Sequence, residues 1–151
     1  MVGGTDSAAE RDAVLERFAA FPERLAAAAR QAGPSPAGEW SPAEVVRHLI
    51  AVEHEVFQSR LASLDDADEP HWSWAEPGLE PGFDDAPLTT ILDAFAATRA
   101  ETVGTVRALD PVGWARAGVH ATYGRLDVSG LLRLAVDHDT EHLAGLTRDA
   151  R

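Results

Sequence analysis

The sequence predicts an all-α fold: a four-helix bundle of up-down-down-up topology, with a long crossover between helices 2 and 3. Three observations predict it. Four stretches carry apolar residues at helical spacing, Gly, Pro and capping residues punctuate the gaps between them, and the second gap, 65–86, is long enough to be a crossover. A chain of 151 residues with 45% hydrophobic content is the size of one compact domain, taken here as 1–151.

Helix 1 is expected over about 6–32, with Val14, Phe18, Phe21 and Leu25 on one stripe. Pro22 falls inside it and should kink or split it. Gln31 to Trp40 has the Gly and Pro density of a connection. Helix 2 opens at Ser41-Pro42-Ala43-Glu44, an N-cap, a proline at N1 and a glutamate closing a capping box. It should run to about Leu64 with Val45, Leu49, Val52 and Val56 inward.

From Asp65 to Ala86 the chain carries eight acidic residues, three prolines and no Lys or Arg, yet also Trp72, Trp74 and Phe83. Its charge belongs in solvent, whereas its aromatics belong against something. Connections this long in a compact domain are usually functional or crossovers. Helix 3 is expected over about 88–109, and helix 4 from about Asp127 to Asp149. Asp110 to Trp114 reads as a cap and one short turn, and no strand is expected.

Composition narrows the function. Net charge is −12, and all thirteen cations are Arg. So acidic a surface repels phosphate backbones and anionic lipid, which argues against nucleic-acid and membrane partners. Without Lys there is no Schiff base and no P-loop; without Cys there is no disulfide, thiolate nucleophile or Cys-held metal. The start MVGGTDSAAERD has no basic or apolar leader character, so a cytoplasmic protein is expected. Any metal must be held by His and carboxylates.

His138 and His142 are an i, i+4 pair, about 40° apart on one helix face. Two such imidazoles can reach one divalent ion. A third ligand must come from elsewhere, and His48, at the edge of the helix 2 stripe, is the candidate. His48 lies roughly 9 Å from the start of helix 2, and the helix 4 pair roughly 10 to 17 Å from its end. Antiparallel helices 2 and 4 bring all three to nearly one level; parallel ones leave His48 roughly 6 to 12 Å short. A 65–86 crossover makes the two helices antiparallel. His54 should face away from His48, and His71 and His120 fall in expected loops.

The blocks GEWSPAEVVRHLIAVEH, DAFAATRAETVGTVRAL and DPVGWARAGVHATYGRLDVSGLLRLAVDHDTEHL, together with the acidic Trp-containing link, resemble the DinB/YfiT-like superfamily of four-helix metalloenzymes from about Gly38 to Leu143. The resemblance implies a metal triad at His48, His138 and His142, the crossover bundle topology and frequent homodimers. Some relatives are thiol-dependent transferases or isomerases using mycothiol or bacillithiol.

Three imidazoles leave a coordination position free, as in catalytic rather than closed sites. Zn²⁺ is favoured, with Ni²⁺ close behind. Such an ion can lower the pKa of bound water to about 7 or activate a thiolate. Without Cys, the thiol would come from a small cosubstrate. The expected function is therefore a metal-dependent enzyme on a small molecule, an S-transferase or isomerase of the thiol-dependent type. The alternative is a non-catalytic, metal- or ligand-binding stress protein. Arg99 and Glu53 are the candidate substrate-binding residues; an internal Arg–Glu pair is the competing reading. Trp40 and Trp114 read as core or bundle-end packing, and Trp72 and Trp74 as loop anchors or a lid.

Overall fold

In the computed structural model the described residues are 6–149. Residues 1–5 and 150–151 of the expected 1–151 domain lie outside them. Helix α1 spans Ala8–Gln31 and opens on a capping box between Ser7 and Glu10. It runs through Pro22 as one helix rather than splitting there. Helix α2, Pro42–Val52, starts as expected, with Ser41 and Glu44 satisfying each other's backbone N–H and Pro42 in the first turn. It continues without a break into a π-helical segment, Glu53–Gln58, and then into α3, Ser59–Asp66. Helix α4 spans Leu88–Arg107, the short α5 Pro111–Ala115, and α6 Val128–Asp149.

The long helices pack as a bundle in which α1 lies against α4 and α6, and α2 against α4. Two apolar clusters fill it. One gathers Phe21, Leu25, Val46, Ile50, Ile91 and Phe95; the other includes Phe18, Val56, Val106, Trp114 and Leu131. None of the helices is long and apolar enough to cross a membrane, among the described residues.

The structure departs from the all-helical expectation in one place. Three short strands form a sheet in the order β1-β2-β3: β1 His71–Trp72, β2 Ala117–His120 and β3 Gly124–Asp127. β2 and β3 are an antiparallel hairpin, and β1 pairs parallel to β2 with His71 opposite Val119. Strands of two to four residues are too short to show an alternating pattern, which is why sequence periodicity misses them. His71 and His120 are therefore strand residues, not loop residues.

The sheet ties down the acidic link. Trp72 is buried and donates from Nε1 to Ser63 Oγ at 2.9 Å. Arg60 donates to the Ser73 carbonyl at 3.2 Å, and Arg47 donates twice to the Glu80 carbonyl. The link thus runs back along α2 and α3 and forms a wall above them.

Candidate metal centre

His48, His138 and His142 converge. One ring nitrogen from each lies within 4.8 Å of the others. The Nε2 atoms of His138 and His142 are 3.2 Å apart. Two nitrogens bound to one tetrahedral ion at the usual zinc distance are about 3.4 Å apart, so this pair already stands at ligand spacing. Closing the third ring in by about 1–1.5 Å completes the set.

Each ring is held differently. His48, buried on α2, donates from Nδ1 to the Gly78 carbonyl at 3.0 Å. A carbonyl only accepts, so this contact places the proton on Nδ1 and leaves Nε2 with a free lone pair. The acidic link therefore selects the tautomer of a helix residue. Burial, helped by the His142 and His48 rings, pushes His138 down to about 4; burial and His48 push His142 down to about 4. Both are neutral at pH 7, the protonation state that ligation needs. Among the described residues His138 Nδ1 is buried without a hydrogen-bond partner, a cost of about 1–3 kcal/mol. The donor set and its geometry fit a divalent ion.

Beneath the trio lies a buried ionic network. Arg99, 2% exposed, donates from Nε and Nη2 to Glu53 at 3.0 Å each, from Nη1 and Nη2 to Asp139 at 2.9 and 3.1 Å, and to the Phe18 carbonyl at 2.9 Å. Its guanidinium also lies 3.8 Å from the Phe18 ring centre. The two carboxylates hold Arg99 charged against the opposing effect of burial. Burial pushes Asp139 up to about 6 against the pull of Arg99. The sequence offered Arg99 and Glu53 as substrate contacts or as an internal pair. The structure pairs them, adds Asp139, and leaves all three out of the cavity lining.

That cavity, of about 650 Å³, opens over the imidazole trio. Its apolar wall comes from Val52, Val56, Phe57 and Leu134, and Asp137 and Glu141 stand beside the two α6 histidines. Trp40 is not core: it is 40% exposed, with its ring 4.7 Å from that of His48, and it lines the cavity. Trp74, 65% exposed, lines the opposite strip of the link, while Trp72 and Trp114 are buried. His54 faces away, as expected, and bonds Glu80. Sequence reasoning missed Arg60, His120 and Tyr123, which also line the cavity.

The α2 rod shows why. His48, Val52, Val56 and Arg60 recur every four residues and all face the cavity. In a plain α-helix each four-residue step rotates by about 40°, which would carry Arg60 about 120° away from His48. The i→i+5 bonding of Glu53–Gln58 widens the turn and offsets that drift.

Residues 7–145 match the sequence profile described as the DinB superfamily. YfiT from Bacillus subtilis, described as a probable metal-dependent hydrolase with an unusual four-helix bundle topology, superposes with a TM-score of 0.76 at 18% identity, over 100% of this chain and 91% of its own. No curated protein matches the sequence significantly. With the profile spanning nearly the whole chain and the fold shared, this protein belongs to the DinB superfamily.

Proposed function

We propose that this protein is a divalent-metal-dependent enzyme whose ion is held by His48, His138 and His142, with Zn²⁺ favoured over Ni²⁺, and whose substrate is a small molecule in the adjoining cavity. The observation that carries this reading is the convergence of three imidazoles from two helices at the floor of one cavity. A bound ion would supply Lewis acidity, lowering the pKa of a water or thiol brought to it. The chain's own residues do the rest. Gly78 orients His48, the Arg99 network fixes the α6 backbone between the other two ligands, and the apolar wall excludes water from the reacting centre.

The reaction we assign is thiol-dependent transfer or isomerisation at a small electrophile; with no Cys in the chain, the thiol would come from a low-molecular-weight cosubstrate. Hydrolysis is the second reading, favoured by the fold shared with YfiT. The crossover topology belongs to the same reading, since it brings the three histidines to one level. So does a homodimer, which light scattering would measure.

Elemental analysis of protein purified without a His tag comes first, with about one divalent ion per chain expected. Zn²⁺-loaded protein is then assayed with thiol-plus-electrophile pairs and with small esters and amides, beside His138→Ala. Saturable turnover lost in the variant supports the enzyme. Equal rates for both proteins remove it, and tight reversible binding without turnover assigns a binding protein instead.

A further inference from the structure

The cavity is chemically lopsided. Its carboxylates, Glu76, Asp137 and Glu141, belong to the histidine end: two of them directly precede His138 and His142, and Glu76 is two residues before Gly78. At the α3 and β2 end stand Arg60 and His120 instead.

Arg60 is 7% exposed and forms no ion pair among the described residues. Of its five N–H donors, one bonds a protein acceptor among the described residues, the Ser73 carbonyl. Buried guanidinium groups are ordinarily paired. In a chain with 25 Asp and Glu, the missing partner is not for want of carboxylates. His120 is 2% exposed, and its Nδ1 accepts from the backbone N–H of Thr122 at 2.9 Å and of Tyr123 at 3.2 Å. An Nδ1 that accepts carries no proton, so the ring is neutral and its proton sits on Nε2. That N–H has no protein acceptor among the described residues and belongs to a cavity-lining ring.

We infer that the ligand of this cavity carries a carboxylate, received by the Arg60 guanidinium and the His120 Nε2–H. A planar fork beside one neutral donor suits the two oxygens of a monoanion. A phosphate dianion, with three oxygens and a second charge, would meet too few donors there. His48 and Arg60 are twelve residues apart on one helical rod, roughly 15–18 Å between backbones. Val52, Val56 and Phe57 line the wall between them. The ligand is therefore elongated, with an apolar middle, an anionic end at Arg60 and a reacting end at the histidines. Only the placing of the reacting end rests on the proposed metal chemistry.

Calorimetric titration of the full chain with 4-phenylbutyrate and with its neutral amide, each with and without Zn²⁺, tests this. The carboxylate should bind at least about tenfold tighter than the amide, with or without the ion. Arg60→Gln should erase that preference while keeping the amide's affinity, which also reports an intact cavity. Arg60→Lys should restore part of it, and His120→Phe should reduce it by several-fold. Equal affinities in the wild type overturn the inference, as does a preference that survives in Arg60→Gln. If the preference holds but the protein takes up no metal, the metal reading fails and the carboxylate site stands.

Discussion

Arg99 grips Asp139, the residue directly after His138, with two hydrogen bonds of 2.9 and 3.1 Å. One turn of α6 thus points a carboxylate down into the bundle and an imidazole out into the cavity. Because Glu53 takes the other edge of the same guanidinium, the π-helical segment and α6 are locked to α4 through one side chain. The ion network sets where two ligand-bearing helices stand relative to each other.

Replacing Arg99 by Leu should therefore be among the most damaging substitutions. It leaves Glu53 and Asp139 buried with no counter-charge, and breaking such a set typically costs about 3–5 kcal/mol. Arg99→Lys keeps the charge but cannot grip two carboxylates edge-on, so an intermediate loss is expected. Urea unfolding midpoints measure both. Asp139→Asn should be milder in stability yet lower metal affinity by about 10–100-fold, since it releases the turn that aims His138.

Metal binding should stabilise the fold by mass action. Free Zn²⁺ at about one hundred times its dissociation constant contributes about 2.7 kcal/mol, which for a domain of this size raises Tm by roughly 5–10 °C. The rise should appear on adding Zn²⁺ to EDTA-treated protein and vanish in His138→Ala and His142→Ala. His54→Ala should keep it, because His54 is on the far side of α2 bonded to Glu80. Differential scanning calorimetry of the four proteins decides this.

Stability in EDTA should fall as pH drops from about 6.5 toward about 4. In that window the unfolded chain protonates His138 and His142 near the ordinary value of 6.5, while the folded chain holds both at about 4. Unfolding then takes up about two protons, which favours the unfolded state as pH falls. Asp139 opposes this: held at about 6 when folded and near 3.8 when unfolded, it releases about one proton on unfolding. Those three groups together take up about one proton net, and His120, which burial also holds below its ordinary value, adds to the uptake, so the sign is a loss of stability toward acid. Urea midpoints at half-unit pH steps should show it, and His138→Phe should make the slope shallower. A wild-type profile that is flat or rises toward acid would contradict the assignment.

The helices and the His138–His142 pair were legible because both depend on local spacing, whereas His48 followed from the level of the helices across the crossover and from the family resemblance. The Ser41 and Glu44 capping box fixes where α2 begins, and His138 and His142 need only 3.6 residues per turn to share a face. What escaped depends on irregular or non-local geometry. The π-helical segment offsets the angular drift of the cavity-facing residues just where Arg60 would be extrapolated away from the cavity. His120 acquires its role from a four-residue strand that pairs with a two-residue one forty-eight positions earlier in the chain. Of the three carboxylates around the α6 histidines, Asp137, Asp139 and Glu141, the packing against Arg99 singles out Asp139 as the one that turns inward. Its i+1 offset from His138 puts it on the face toward α4, whereas Asp137 and Glu141 remain exposed.

Gly118 provides a test of how far the small sheet supports the cavity. A Cβ at this position would stand 2.4 and 2.5 Å from the Trp72 ring and 2.8 Å from the Pro70 carbonyl. Glycine is required here by that close approach. Trp72 cannot swing away freely, since its ring is buried and its Nε1 is bonded to Ser63. Gly118→Ala should therefore push β1 off β2 and cost about 1–3 kcal/mol through overpacking. The larger consequence falls on the cavity. Trp74, two residues beyond Trp72, and His120, two beyond Gly118, both lose their support. Ligand affinity should then drop more than Zn²⁺ affinity, because the three histidines stand on helices rather than on the sheet. Parallel titrations of Gly118→Ala with 4-phenylbutyrate and with Zn²⁺ measure the two losses. Equal losses would mean that the sheet braces the whole site rather than its carboxylate end.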